Sequence, residues 1–250
     1  MTLWEKHQVM PLDNSSIPYR LEFRSAPKTP ELDKRIAAWR DKNGEPFPER
    51  DLAPHRVGIT GITSTGGISV LNCFGASWAQ RMLLSDPKVR GELPENERLH
   101  ILSMVCVVRT SDDQIPLSFR SEKMVIYPSS WHGSAAGFTD FHPAMESGSP
   151  LFQTFLELEE ELNVLPSHIR SMRQLGLCQH LATISLSAIE YLVLAEVNLS
   201  AAELVERANT AKDSWEGKVH TFSEEKVLEM LKAENFVPSG AAAVMLALGI

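Results

Sequence analysis

The sequence predicts an α/β fold, in which helices pack in layers against a sheet. Apolar runs of strand length alternate along the chain with stretches whose apolar residues recur at helical spacing. His100 to Arg109 and Ile189 to Val197 are two such strand-like runs, rich in Ile, Leu, Met and Val. With 43% hydrophobic residues in 250 positions, the chain can bury a large core in one or two domains.

The N-terminal part differs in composition from the remainder of the chain. Up to about Arg50 it is rich in Pro and charge, with an extended run at 19–24 and an amphipathic stretch at 30–41. Residues 57–67 mix β-branched residues with glycines, as strands and tight turns do, and a helix is expected at 75–84. The charged segment 86–98 contains Pro and Gly and predicts a boundary near Glu97. We therefore expect an accessory region at 1–96 and a catalytic domain at 97–250.

Beyond that boundary the pattern predicts the remaining elements in order. A strand at 100–109 is followed by turn residues at 111–114, one or two strands in 117–127 and a Gly- and His-rich loop at 131–148. Ser149-Pro150 then opens a helix, since a hydroxyl can cap free amides and proline suits the first turn. Strands near 172–177 and 189–197, and helices at 201–209 and 223–233, complete the prediction.

Composition excludes several classes of function. The formal net charge of −8, from 24 Lys and Arg against 32 Asp and Glu, argues against electrostatic binding to nucleic acid or to an anionic membrane. The N-terminus lacks the charged start and apolar run of a signal peptide, and no stretch of about 18 apolar residues occurs, so we expect a cytoplasmic protein. Cys73, Cys106 and Cys178 are widely spaced among apolar neighbours, which favours buried reduced thiols over zinc ligands. The sequence leaves open whether the protein forms a homodimer.

The helix after Pro150 separates apolar from acidic residues. Its apolar residues define a core-facing stripe: Leu151, Phe152, Phe155, Leu158 and Leu162. Glu157, Glu160 and Glu161 are spaced by three and four residues on the other side, and no Lys or Arg lies between Ser149 and Arg170. This pattern favours a site for Mg²⁺ or Mn²⁺, because hard cations take carboxylate oxygens and bridge protein to phosphate. On charge alone, a solvated acidic face remains the more favoured explanation.

The order of these residues resembles the signature of the Nudix hydrolases. That signature is a glycine, five residues, a glutamate, seven residues, then Arg-Glu-apolar-x-Glu-Glu-x-Gly-apolar, and residues 156–164 read Leu-Glu-Leu-Glu-Glu-Glu-Leu-Asn-Val. The resemblance implies that Glu157, Glu160 and Glu161 bind metal, while Leu156 replaces the arginine and Asn163 the late glycine. Upstream, Gly137 is similar to the glycine of the turn that opens the motif. The spacing to the helix is about five residues longer than usual, which leaves the first glutamate of the signature unmatched.

The resemblance continues towards the C-terminus. Residues 189–200 are similar to the family's central strand entering its next helix, and residues 236–246 to its C-terminal helix. Glu216 occupies the place of a further glutamate that serves as metal ligand or general base, although a plain loop carboxylate remains an alternative. The resemblance implies a Nudix-type α/β/α sandwich, with a mixed sheet between helices and an N-terminal α+β extension.

One branch of the family is most similar in layout. Nucleotide-sugar diphosphatases of the UDP-glucose hydrolase type have a long N-terminal extension, lack the arginine of the box and carry asparagine for its late glycine. This resemblance implies cleavage of a nucleoside diphosphate linked to another moiety, such as a UDP-sugar to UMP and sugar 1-phosphate. Glu157, Glu161 and Glu216 would be catalytic, and with Glu160 they would hold the metal. A hydrolase of prenyl or other non-nucleotide diphosphates, and a catalytically silent ligand-binding module, remain alternatives.

Gly137, His142 and Trp131 are the candidate substrate contacts. His132 and His142 flank Gly137 and could bind phosphate or transfer protons, although loop histidines are more often structural. Trp131 and Trp215 border the expected site and could stack on a nucleobase, with core packing as the alternative.

Three basic residues lie on or beside the first strands of the catalytic domain. Arg109, Arg120 and Lys123 could meet the charge of the substrate. Surface solvation is the preferred interpretation for each of them.

Overall fold

The predicted α/β fold is confirmed by the computed structural model, which describes residues 2–13, 19–24, 30–43, 56–65, 68–77, 79–80, 83, 86–93, 100–124, 126–141, 147–180 and 188–250. The helices of these residues are α1 (Leu3–Lys6), α2 (Pro30–Asn43), α3 (Pro87–Glu92), α4 (Leu151–Leu162), α5 (Ala201–Ala208), α6 (Glu224–Ala233) and α7 (Pro238–Ala247). The strands are β1 (Val9–Asp13), β2 (Tyr19–Phe23), β3 (Arg56–Thr65), β4 (Ile68–Ala76), β5 (His100–Arg109), β6 (Ile115–Arg120), β7 (Trp131–His132), β8 (Ala135–Phe138), β9 (Ser147–Gly148), β10 (Ile169–His180), β11 (Ala188–Val197) and β12 (Gly217–Phe222).

A mixed sheet forms the centre of the molecule. Its strand order in the described residues is β1-β10-β11-β5-β3-β4-β2-β9, with β11 parallel to β5 and β2 parallel to β4. One edge of β5 pairs with β11 along its length, while the other edge pairs first with β3 and then, from Ser103 to Cys106, with β8. Strands β12, β6 and β7 form a smaller sheet.

Helices cover both faces of the central sheet. Side chains of β5 alternate between the faces, so Met104 and Cys106 join one core while Val105 and Val107 join the other. The first core includes apolar residues of α4 and α5, and the second includes those of α6 and α7. The structure is therefore an α/β/α sandwich with a mixed sheet between helices, as the sequence predicted.

The N-terminal region contributes strands to the same sheet. Strands β3, β4 and β2 extend it beyond β5, and β1 pairs with β10 at the opposite end. Leu32 of α2 packs with Phe74 and Ile101 in a smaller core of its own. The boundary predicted near Glu97 lies outside the described residues and stays a prediction. Pairing of β3 with β5 and of β1 with β10 joins the two parts by backbone hydrogen bonds.

Of three predictions of local structure, two are wrong and one is confirmed. The helix expected from Gly75 begins too early, because Gly75 and Ala76 pair with Val57 and Arg56 as the end of β4. The prediction of one or two strands in 117–127 is confirmed by β6, which ends at Arg120 and is followed by a turn. The segment 131–148, expected as a loop, contains the short strands β7, β8 and β9.

Of the helices that the structure describes, none is long and apolar enough to cross a bilayer. The prediction of buried thiols is confirmed, since Cys73, Cys106 and Cys178 are buried and free.

Candidate functional site

Helix α4 carries the acidic residues, and the residues at its two ends determine where it begins and stops. The prediction that Ser149 caps the helix is wrong, because Pro150 holds the cap position and no side chain makes a cap hydrogen bond there. The hydroxyl of Ser149 accepts a hydrogen bond from the backbone N–H of Leu151 at 3.3 Å. The helix ends at Asn163, whose backbone is left-handed with φ 53° and ψ 36°. Glycine and asparagine are the residues that adopt this conformation most readily, so Asn163 can end the helix where the signature has glycine.

Two carboxylates of α4 lie against the backbone of strand β8. The backbone N–H of Ala136 donates a hydrogen bond of 3.0 Å to Glu161 Oε1. At the next residue, a Cβ added to Gly137 would overlap the carboxylate of Glu157. The absence of a side chain at Gly137 therefore lets Glu157 approach the strand. Gly137, expected in a turn, lies in a strand paired with Met104.

A buried glutamine orients Glu157. Gln153 Nε2 donates a hydrogen bond of 2.7 Å to Glu157 Oε1, and Gln153 Oε1 accepts one from the backbone N–H of Asp140 at 3.1 Å. Gln153 precedes Glu157 by one helical turn, and that spacing was the signal in the sequence that could have found it.

Glu216 reaches the same place from a distant loop. Its backbone N–H donates to Asp213 at 2.9 Å, and its carbonyl accepts from the backbone N–H of Ser121 at 2.7 Å. The loop is tied to α4 because the backbone N–H of Asp213 donates to the carbonyl of Glu160 at 2.9 Å. These bonds hold Glu216 beside Glu161.

Two adjoining cavities lie at these carboxylates. The larger, of about 150 Å³, is lined mainly by polar residues: Ser118, Glu161, Ala208, Asn209, Asp213, Ser214, Glu216, Gly217, Lys218 and Val219. The smaller, of about 10 Å³, is lined by Ser118, Arg120, His132, Gly133, Ala136, Glu161 and Glu216. Glu161, Glu216 and Ser118 line both, so the two carboxylates lie where the cavities meet.

The site concentrates negative charge away from water. Burial raises the pKa of Glu157 to about 6, against the hydrogen bond from Gln153, and Glu160 and Glu216 raise it further. Burial also raises the pKa of Glu161 well above its usual range, with Glu157 and Glu216 adding to the effect. The pKa of Glu216 is raised by burial and lowered by Arg120. Each carboxylate therefore ionises less readily than it would in water.

Glu160 differs from the other predicted metal ligands. Its carboxylate pairs with Lys212 Nζ at 2.5 Å, and its side chain is 38% exposed. No basic residue lies within the helix itself, but the fold brings this lysine to it from another loop. The predicted set of four ligands stays a prediction, in which Glu160 is the residue with a protein partner of opposite charge.

Arg120 is not the surface residue that the sequence favoured. It lies at the end of β6, is largely buried and lines the smaller cavity together with Glu161 and Glu216. Burial lowers the pKa of its guanidinium, while the charges of Glu216, Glu161 and Glu190 oppose that shift. No signal in the sequence indicated this position, because the burial depends on strands and loops far along the chain.

The remaining candidates differ in their position relative to the two cavities. His132 is buried and lines the smaller cavity. Trp131 lines neither described cavity and packs against the rings of Phe119, His220 and Phe222, with centroids 4.9, 5.6 and 5.4 Å away. Trp215 is 60% exposed between Ser214 and Glu216 at the larger cavity. His142 lies outside the described residues.

The carboxylates have the donor chemistry that magnesium prefers. Among the described residues, no group of three or more His, Cys, Asp or Glu side chains is arranged to enclose a metal ion. Mg²⁺ is commonly bound through one or two carboxylates, with water and phosphate oxygens completing the coordination. Glu157 and Glu161 fit that role.

No protein-family model matches the chain, and no curated protein matches it significantly. Among solved structures, a MutT/Nudix family protein from Listeria innocua is similar at 16% identity, covering 60% of this chain and 92% of that one with a TM-score of 0.40. A MutT protein from Methanosarcina mazei is similar at 17% identity, covering 60% of this chain and 96% of that one with a TM-score of 0.36. The protein Tm1382 is similar at 13% identity, covering 78% of this chain and 99% of that one with a TM-score of 0.45. At such low similarity, function has to be inferred from the residues of the site.

Together the fold and the site define an α/β-sandwich protein with partly buried carboxylates beside a polar cavity.

Proposed function

We propose that this protein is a metal-dependent diphosphate hydrolase that cleaves a nucleoside diphosphate linked to another moiety. The observation that carries the proposal is the partial burial of Glu157 and Glu161 together, with Glu216 beside them and their pKa values raised. Burying like charges opposes folding unless a ligand compensates them. A divalent cation is the ligand that would do so, and diphosphates are the substrates that such cations commonly carry.

The reaction follows from the residues of the site. Hydrolysis adds water across the P–O–P bridge: one phosphorus gains the water oxygen, and the other phosphate leaves with the bridging oxygen and a proton. When bound, Mg²⁺ or Mn²⁺ supplies neutralisation of the diphosphate and activation of water. Glu157 and Glu161 would hold the ion. Glu216 would accept a proton from the attacking water, a role suited to a carboxylate whose pKa burial has raised.

The cavity favours a polar substrate over a prenyl diphosphate. Its lining of hydroxyl, amide and charged side chains offers little apolar surface to an isoprenoid chain. Trp215, exposed beside it, could stack on a nucleobase. UDP-sugars are the first candidates, because Asn163 and the N-terminal region follow the layout of the diphosphatases that act on them. The N-terminal region would then help to enclose the substrate.

The test is to incubate the protein with Mg²⁺ or Mn²⁺ and a panel of UDP-sugars, ADP-ribose, dinucleotides and prenyl diphosphates, with mass spectrometry of the products. We expect a nucleoside monophosphate and a phosphorylated second product. Glu161→Gln should lower turnover at least about a hundredfold, because the metal contributes several kcal/mol to the transition state. Glu159→Gln is the matched control, since Glu159 is exposed on the same helix.

Each outcome has a distinct meaning. Equal turnover by the wild type and Glu161→Gln would exclude the carboxylate site as the catalytic centre. Turnover of prenyl diphosphates alone would show that the substrate is a non-nucleotide diphosphate and not a nucleoside diphosphate. Metal-dependent binding without any turnover would show a silent ligand-binding module.

A further inference from the structure

The side chain of Arg120 is a partly buried cation with unused hydrogen-bonding capacity. Its terminal nitrogen Nη2 donates to the carbonyl of Ile126 at 3.1 Å. Its Nε is buried and has no hydrogen-bond partner among the described residues. A guanidinium has five N–H donors in a planar fork, and leaving a buried one unpaired is unfavourable.

The backbone fixes Arg120 beside the catalytic carboxylate that we propose. The backbone N–H of Arg120 donates to the carbonyl of Ser130 at 3.0 Å, and Arg120 pairs in register with Gly217 of β12. The next residue, Ser121, donates to the carbonyl of Glu216. Room for this approach exists because a Cβ on Gly217 would lie 2.7 Å from Ser118 Oγ and from the carbonyl oxygen of Phe119.

Arg120 faces carboxylates without forming an ion pair with them. Glu216 and Glu161 line the smaller cavity with it. Their negative charges, together with that of Glu190, act to raise the pKa of its guanidinium. None of the ion pairs formed by the described residues includes Arg120. An anion between the guanidinium and a metal held by the carboxylates would accept hydrogen bonds from the free N–H donors. It would also place a negative charge between the two positive ones.

Resting on the proposed function, we infer that Arg120 is a substrate-binding residue whose guanidinium binds phosphate oxygens of the diphosphate. Arginine suits this task because its fork can donate two parallel hydrogen bonds to one phosphate. Arg120 would thus bind the substrate from β6 while Glu157 and Glu161 bind it through the metal from α4.

The experiment measures binding of inorganic pyrophosphate with Mg²⁺ by titration calorimetry. Arg120→Met should weaken binding about 10- to 100-fold, the loss expected for hydrogen bonds to a charged group. Arg120→Lys should fall between, because an ammonium keeps the charge without the fork. Arg109→Met is the matched control: Arg109 also lies at a strand end, is partly buried and pairs with Glu224 at 3.5 Å on the opposite face of the sheet. The Arg109→Met variant should bind pyrophosphate with the same affinity as the wild type.

A second measurement separates substrate binding from a structural role. Mn²⁺ affinity and the melting temperature are determined for each variant, so that a loss of pyrophosphate affinity is interpreted on folded protein. Unchanged pyrophosphate affinity in Arg120→Met, with or without a lower melting temperature, would overturn the inference while leaving the hydrolase intact. A wild type that binds no pyrophosphate would overturn it as well. Arg120-dependent binding without turnover of any substrate would instead retain the inference and reject the hydrolase.

Discussion

The two helix layers cover the same sheet with opposite chemistry. Helix α7 presents an almost wholly apolar surface, in which residues 241–245 are fully buried. Helix α4 buries Leu158 and Leu162 in the same manner, but it also carries Glu157 and Glu161 into the protein. The α7 layer shows that small apolar residues are sufficient to cover this sheet. The partly buried charge of the α4 layer is therefore not a requirement for covering this sheet.

The largest expected effect is a loss of stability in the α7 layer. Met245→Ala should lower the free energy of unfolding by about 2–5 kcal/mol, because the truncated side chain leaves a cavity in a fully buried position. Turnover per folded molecule should not change. Urea unfolding and substrate kinetics measure the two quantities. A fall in turnover beyond the unfolded fraction would show that the two layers are coupled and would break the comparison.

The opposite pattern is expected at Gly137, the residue of strand β8 that lies against Glu157 of α4. Gly137→Ala should lower kcat/KM about 10- to 100-fold, because the new Cβ displaces the carboxylate of Glu157 from its position. Stability should change little, since the displaced group is the end of a flexible side chain. Gly61→Ala is the matched strand control, because a Cβ there meets nothing within 4 Å. Normal activity in Gly137→Ala would argue that Glu157 has no role in catalysis.

The pH dependence of stability should also differ between the layers. The pKa of Glu157 is raised from 4.5 to about 6, so the folded protein retains a proton that the unfolded chain has released between these values. The contribution of Glu157 to stability is therefore present below about pH 4.5 and lost as the pH rises to about 6, a loss of about 2 kcal/mol. Glu160 and Glu216 act in the same direction, and Arg56 opposes them.

Glu157→Gln isolates this effect in metal-free protein. Unfolding by urea should give wild type and variant similar stabilities near pH 4.5, and the variant should become the more stable by pH 7. Saturating Mg²⁺ should reduce that difference. A difference that is constant over this pH range would show that Glu157 titrates normally.

The smallest effect is expected at the ion pair between Lys212 and Glu160. Lys212→Met should change kcat/KM by less than about threefold, because both side chains are exposed and water screens their interaction. The melting temperature should remain the same within error. A tenfold loss of activity would instead show that the pair holds the loop of Glu216 in place.

Local sequence determined much of the fold. The apolar runs at 100–109 and 189–197 became strands β5 and β11, and the helical spacing after Pro150 became α4. Ser200 begins α5 with a capping box, in which its hydroxyl accepts from the backbone N–H of Glu203. Such features depend on residues within one or two turns of each other, so their pattern is visible in the sequence. The spacing of Glu157, Glu160 and Glu161 on one helix was visible for the same reason.

Tertiary structure decided which of those residues face the cavity. Strands β7 and β8 are too short to have a clear pattern, and β8 exists because it pairs with β5. Lys212 reaches Glu160, and Glu216 and Arg120 meet at the cavity, only when distant segments of the chain come together. Burial, hydrogen bonds and charge pairing at these positions are set by contacts between such segments. The sequence by itself determined the helix and its carboxylates, and the tertiary structure decided the environment that makes them a candidate active site.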